Sequence, residues 1–584
     1  MRSLSYLNKY FLRYKKKLFL GFLFILFSDA AQVTIPLFLR KSIDGLQQNI
    51  EYSGLLKYAA MILGAAIISG IFRFLIRETI VVTSREIEFD LRQDFWTHLL
   101  KLPLRFFQNN STGNIMAHAT NDIGAVRMYC GPAVMYSADT IVKFIIVISV
   151  MISIQPLLTL YVLIPLPLLS FFVYLLSKKV HKKFTKIQEK FSELTTKAQE
   201  NFGGIRVIKA YVKEESEIEE FKKLSDEYLN RNMEKIRIQA FFMPLLFLIT
   251  GISIIVVVWV GGRMVIQNEL TLGDISAFLV YLGMLIWPVI AFGWVMNIAQ
   301  QAAASMKRLL KIFNENEEIR NPESAKQPVN GFMGNIEFKN VSFRYKDNLP
   351  YVLKNINLKI PNGTRLAIIG NTGVGKTTLI NLIPRLYDVS EGEILIDGIN
   401  VKELSLSMLR ENIGFVPQET FLFSDTIANN ILYGVKEENK SMKLVEKVSE
   451  ISQLRKDVEA FPEKFETVLG ERGITLSGGQ KQRAGLARAL AVNPKILIMD
   501  DSFSAIDTKT EEEILNGLKS FMQNRTSIII SHRISTIKDS DKIIVLDKGV
   551  IAEEGTHNEL VALGGIYADL HYKQLLEEEL KKIN

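Results

Sequence analysis

The sequence predicts an all-α domain of six membrane-spanning helices followed by an α/β domain. Three observations carry this expectation. Six apolar stretches, each long enough to cross a bilayer, lie before residue 300 of the 584. A polar segment with two prolines and two glycines, 314–335, then ends the pattern. Beyond it strand-like runs begin at 336–343 and 365–370, and the second leads directly into a helix pattern.

The apolar stretches are 18–39, 55–80, 132–153, 157–176, 240–262 and 275–298. About 20 such residues cross roughly 30 Å of hydrocarbon. One run of this kind could be a buried core helix, but six in succession could not. The first is read as a span and not as a cleaved signal, being too long and lacking a small-residue cleavage site.

Charge fixes the expected orientation. The whole chain has 70 Lys+Arg against 62 Asp+Glu. Residues 1–330 hold 38 basic and 27 acidic side chains, and the remainder 32 and 35. The basic half is also the apolar half, which argues against a nucleic-acid partner. Arg2, Lys9, Arg13, Lys15, Lys16 and Lys17 precede the first span, and 177–239 carries 15 further basic residues. The short connections on the other side carry few. The positive-inside rule then places the N-terminus and, after an even number of spans, the back half in the cytoplasm. The expected location is a multi-pass protein of the cytoplasmic (inner) membrane. The single cysteine, Cys130, excludes a disulfide framework and a Cys-based zinc site.

The long cytoplasmic connections read as helical. Segment 177–239 has no proline and breaks only at Gly203-Gly204, and the earlier connection breaks at 108–113. Arms of about 25 residues would reach nearly 40 Å from the membrane. Asp29, Arg73, Arg77, Glu78, Asp139 and Lys143 fall in or near the spans. Charges there are costly and often functional. Asp139 and Lys143, four apart, suit an internal pair on one helix.

In the back half, Gly370-Asn371-Thr372-Gly373-Val374-Gly375-Lys376-Thr377 follows an apolar strand and opens a helix at Thr378. This is the P-loop pattern in its required context. Glycines let backbone N–H groups close on phosphate oxygens, and the helix N-terminus adds its dipole. Lys376 would neutralise the β- and γ-phosphates and Thr377 would ligate Mg2+. The apolar run 496–499 ends in Asp500, a carboxylate placed for the same metal ion.

Between these motifs stands Leu476-Ser477-Gly478-Gly479-Gln480. Here the whole chain resembles the ATP-binding cassette exporters, as a half-size transporter with residues 1–313 as membrane domain, 314–335 as linker and 336–584 as nucleotide-binding domain. The resemblance implies ATP and Mg2+ as ligands and a second half-transporter as partner. It implies that Tyr345 stacks on adenine, that Gln418 senses Mg2+ and the membrane domain, and that His532 is the switch histidine. Ser477, Gly478, Gly479, Gln480 and, in the D-loop, Asp507 would touch the ATP held by the other cassette. Gly470-Glu471-Arg472-Gly473 resembles the loop that meets the coupling helices. Thr112-Gly113 with Asn121-Asp122, and 204–210, resemble the coupling regions.

One position departs from the family. Where a glutamate usually follows the strand aspartate and polarises the attacking water, this chain has Asp501. The carboxylate stops roughly 1–1.5 Å short, and a comparable misplacement costs on the order of 100-fold in rate. The chain's own P-loop site is therefore expected to bind ATP and hydrolyse it slowly. A heterodimer is favoured over a homodimer, because its second site would combine the partner's P-loop with the intact signature of this chain. The expected function is ATP-driven export of a hydrophobic or amphipathic drug, lipid or peptide by alternating access. The alternative is a regulatory or sensory complex whose cassettes gate a partner protein.

Overall fold

The computed structural model describes residues 2–329, 331–470, 473 and 475–583. Its contacts divide it into two compact units, residues 1–100 with 112–315 and residues 101–111 with 316–584.

The N-terminal half is helical throughout: α1 (Lys15–Gln47), α2 (Tyr52–Leu99), α3 (Leu104–Asn109), α4 (Thr112–Ile154), α5 (Pro156–Leu163), α6 (Pro165–Gly203), α7 (Ile205–Ala210), α8 (Glu214–Ile266) and α9 (Leu272–Phe313). Of these, α3 belongs with the second unit. Among the described residues α1, α2, α4, α8 and α9 are long and apolar enough to cross a membrane. The fourth expected span, 157–176, is shared between α5 and α6, which meet at Ile164-Pro165, and several of its side chains lie outside the described residues.

Hydrocarbon offers backbone groups no partners, so the spans stay helical. No breaker stops them at the membrane surface, and they run on as the expected arms. Each arm is held by charge. Lys183, Lys190 and Lys197 on α6 meet Glu234, Glu227 and Glu220 on α8 at 2.5, 2.8 and 2.7 Å. Both series advance by seven residues in opposite directions, the spacing of a coiled-coil seam. A second ladder joins Lys9 to Asp94 at 2.9 Å, Arg13 to Asp90 at 2.7 Å and Lys17 to Glu86 at 2.6 Å. Three of the six basic residues before the first span thus pair with α2.

Inside the first unit α1 and α2 approach closely. A Cβ on Gly21 would fall 2.5 Å from Ile80, and the buried Ser28 and Ser69 hydroxyls are 3.2 Å apart. The Asp139–Lys143 pair forms as expected, at 3.0 Å, and Asp29 joins it at 3.3 Å from the Lys143 ammonium. Asp29 is fully buried. At the far end of α1, Arg40 pairs with Asp274 at 2.7 Å, and Asp44 accepts from the Gly273 N–H at 2.9 Å and the Thr271 hydroxyl at 3.0 Å. This caps the N-terminus of α9 from a second helix.

The second unit holds β1 (Ile336–Phe343), β2 (Leu353–Ile360), β3 (Arg365–Ile369), β4 (Glu391–Ile396), β5 (Ile399–Asn400), β6 (Ile413–Val416), β7 (Ile496–Asp500), β8 (Thr526–Ile530), β9 (Lys542–Asp547) and β10 (Val550–Gly555). One sheet has the order β2-β1-β4-β5 and is antiparallel. The other has the order β10-β9-β3-β8-β7-β6, parallel except for β10. β7 and β8 are buried along their whole length, as a parallel sheet covered on both faces requires. The fold class is the expected one.

Two measurements test this packing. Lys143→Met leaves Asp29 buried without its cation and should cost about 3–5 kcal/mol, read by unfolding of the detergent-solubilised chain. Adding Asp29→Asn and Asp139→Asn should recover most of the loss. In the second unit, burial lowers the pKa of His557 from 6.5, with the charges of His571 and Lys538 acting the same way. The unfolded chain then binds the proton first, so stability should fall as the pH drops below 6.5. His557→Gln should flatten that slope.

Candidate functional site

β3, β8, β7 and β6 lie side by side and run the same way, with Arg365 opposite Ser527, Asp500 opposite Ile530 and Val416 opposite Met499. Their C-terminal ends open on one edge, where an α/β sheet characteristically takes its ligand. β3 ends at Ile369, and the chain turns through 370–375 into the helix Lys376–Leu382. The turn needs glycine at two points. Gly375 has φ +105°, and a Cβ on Gly370 would lie 2.3 Å from the Leu546 carbonyl oxygen. Asn371, Thr372 and Gly373 form the exposed crest of the loop, with Val374 half-buried.

Lys376 is buried, and its ammonium donates to the carbonyls of Gly370 at 2.7 Å and Asn371 at 2.9 Å. Burial pushes its pKa below the ordinary lysine range, while Asp500 and Asp501 pull it back. Thr377 donates its hydroxyl to Asp500. The Thr378 hydroxyl meets the Tyr345 hydroxyl at 2.9 Å. Tyr345 also packs edge-on against Phe343 and Tyr387, which fixes its half-buried ring beside the P-loop helix.

Asp500 closes β7 and is 2% exposed. Burial raises its pKa and Asp501 adds to this, whereas Thr377, Lys376 and His532 oppose it. These five residues therefore share one electrostatic neighbourhood. Asp501 follows at φ +45°, its N–H bonded to the Ile530 carbonyl at 2.9 Å. Side-chain-bearing residues seldom adopt this conformation, and aspartate tolerates it better than most. His532 leaves the end of β8 and Gln418 the end of β6, both exposed at the same edge.

The signature residues form a second group. Ser477 caps the helix Gly478–Ala491 in a reciprocal capping box with Gln480 (Ser477 N–H to the Gln480 side chain 3.0 Å, the return bond 3.3 Å). A Cβ on Gly479 would lie 2.9 Å from the Ala505 carbonyl oxygen. Asp507 caps the helix Thr508–Met522 through the Thr510 N–H at 3.0 Å, which lowers its pKa. Sequence reasoning missed the link between the two groups. The Gln482 amide donates to the Ser504 hydroxyl at 2.9 Å and accepts from the Ala505 N–H at 3.0 Å, and Ser504 donates to the Asp501 carbonyl at 3.1 Å. Glu471 and Arg472 lie outside the described residues. Asn109 of α3 accepts from Lys346, next to Tyr345, at 3.3 Å.

A glycine loop at a helix N-terminus with a buried ammonium suits a polyphosphate. Thr377 and Asp500, which bond each other, and Gln418 at the same edge would offer oxygen donors, the kind a hard cation such as Mg2+ takes.

The comparisons with known proteins decide the family. Residues 18–289 match the ABC transporter transmembrane region and 353–504 the ABC transporter domain. The chain belongs to the ABC transporter family. This ABC transporter is 35% identical to the multidrug resistance-like ATP-binding protein MdlA of Buchnera aphidicola, across 100% of both chains. It is 37% identical to the probable multidrug resistance ABC transporter ATP-binding/permease protein YheI of Bacillus subtilis, over 83% of each. It also resembles the structure of a bacterial Atm1-family ABC exporter with ATP bound, at TM-score 0.81 and 26% identity, covering 96% of this chain and 99% of that one. It is an exporter-type ABC transporter of the membrane, an ATPase coupled to transport.

In this ABC transporter Gly479→Val would force the signature helix away from Ala505. Steady-state ATPase should fall at least tenfold, on the order of a misplaced catalytic group, while ATP binding measured by equilibrium dialysis stays unchanged.

Proposed function

We propose that this ABC transporter is half of a heterodimeric exporter in which its own P-loop forms the slow nucleotide site. Asp501 is the observation that carries this reading. Its carboxylate is a methylene short of the usual glutamate, and it sits on a backbone tied to Ile530 and Ser504, which resists the shift needed to make up the distance. The signature is intact, so a partner's P-loop would meet a complete Ser477–Gln480 turn.

In this reading residues 1–313 form the membrane domain, 314–335 the linker and 336–584 the nucleotide-binding domain. The N-terminus and that domain lie in the cytoplasm, and the membrane is the cytoplasmic one. Tyr345 takes the adenine, residues 370–378 hold the phosphates, and Thr377, Asp500 and Gln418 hold Mg2+, which when bound offsets phosphate charge. Asp501 orients the attacking water and His532 contacts the γ-phosphate. ATP shared between two cassettes closes them, and the helical arms carry that closure to the spans. The multidrug names of the relatives and the apolar spans support a hydrophobic or amphipathic cargo, whether drug, lipid or peptide.

The full-length chain purified alone should turn over ATP slowly, and Asp501→Glu should raise the rate at least tenfold, within the roughly 100-fold range of such misplacements. Fast turnover by the lone chain, indifferent to Asp501→Glu, would remove the proposal. In the purified heterodimer Ser477→Ala should depress ATPase more than Lys376→Ala. The opposite ranking would point to symmetric sites.

A further inference from the structure

The loop that carries His532 is short and exposed, and β8 supports it from one side only. The helix that follows, Ile534–Ile537, has four residues, and Arg533 at its N-cap supplies no side-chain cap. A helix start with open N–H groups should be satisfied from elsewhere. It is satisfied from 40 residues downstream. Gln574, on the helix Ile566–Ile583, accepts from the Ile534 N–H at 2.9 Å through Oε1. The same amide donates from Nε2 to the carbonyl oxygen of His532 at 2.6 Å. One side chain thus holds both ends of the turn in which the His532 ring is set.

The helix that brings Gln574 is itself firmly seated. Glu553 accepts from the N–H groups of Ile566, at 2.5 Å, and Tyr567, at 3.0 Å, which caps its first turn. Tyr567 is fully buried, and its hydroxyl meets His557 at 2.8 Å. Ile566 and Leu570 pack on the main core of the unit. Gln574 lies seven residues beyond Tyr567, two turns on and on the same face. Across the loop, Arg533 and Thr536 both bond Glu511, which is buried in the helix Thr508–Met522. The turn is therefore held from two helices: the Gln574 amide bonds its backbone at His532 and Ile534, and the Glu511 carboxylate bonds the side chains of Arg533 and Thr536 just beyond.

We propose that Gln574 is a positioning residue for His532, so that the C-terminal helix sets the rate of hydrolysis at this chain's P-loop without touching nucleotide. The inference rests on the reading of His532 as the group that meets the γ-phosphate. The amide bonds the backbone of the turn that carries the His532 ring, at His532 and Ile534, so its loss is expected to loosen that turn while leaving the phosphate loop as it was.

The test uses the full-length chain, purified alone in lipid nanodiscs and carrying Asp501→Glu so that hydrolysis at its own P-loop is readily measured. Gln574→Met keeps the length and packing and removes both hydrogen bonds. It should lower kcat about tenfold with KM for ATP unchanged, and speed amide exchange at 532–534 alone. Lys573→Met, exposed and one residue away, should change neither. An unchanged kcat in Gln574→Met beside a kcat abolished by His532→Ala overturns the proposal. So does a loss in Gln574→Met matched by raised KM or exchange across the whole unit, which marks a folding defect. If His532→Ala leaves hydrolysis intact, the reading of His532 fails and the proposal with it.

Discussion

A peptide group inside hydrocarbon has only its own helix to bond to. That constraint shapes the first unit more than any side chain does. It keeps the spans helical, the fourth in two pieces that meet at Ile164-Pro165, and because Gly131-Pro132 and Pro244 near the span ends do not stop their helices, it also makes the arms. A helix that emerges into water loses the solvent that stabilised its apolar sides and needs another source of order. The chain supplies it with opposed charges at helical repeats, lysine against glutamate between α6 and α8, and basic against acidic residues between the N-terminal segment and α2. Six basic residues of the front half are thus neutralised within the chain by acidic partners.

The second unit solves a different problem with the same economy. Parallel strands deliver their C-terminal residues to one edge, so groups far apart in sequence arrive together: Lys376 and Thr377 after β3, Gln418 after β6, Asp500 and Asp501 after β7, His532 after β8. Burial at that edge disfavours the charged forms of both Asp500 and Lys376, and each opposes that shift in the other, with the Thr377 hydroxyl helping Asp500. Such a pair is suited to meeting an anionic ligand and a cation at once, because the charges are already desolvated and aligned.

What was legible in the sequence was local. The P-loop, the strand aspartate and the signature are runs of adjacent residues whose backbone geometry dictates their composition, and glycine at 370, 375 and 479 stands where a Cβ has no room. The spans were legible because length and apolarity suffice. The Asp139–Lys143 pair was readable from its spacing, but Asp29, more than 100 residues earlier, was not. Nor was the register of the arms, since Lys190 and Glu227 become neighbours only after the chain has turned at 203–213. Gln482 and Gln574 carry no motif at all, and the D-loop resemblance of 504–507 does not disclose the bonds of Ser504. Their importance comes from where their amides and hydroxyls end up, which depends on packing between elements.

The arm ladder has a mechanical meaning. In all three rungs, 183 with 234, 190 with 227 and 197 with 220, one helix steps forward as the other steps back. A slide of one helix past the other by a residue or two would strain all three rungs together, and Lys197, which bonds Glu217 as well as Glu220, ties the end of the ladder at two points. Under shear the pair behaves as a bolted beam. A load applied at its tip near α7 is shared by both helices along the length of the ladder.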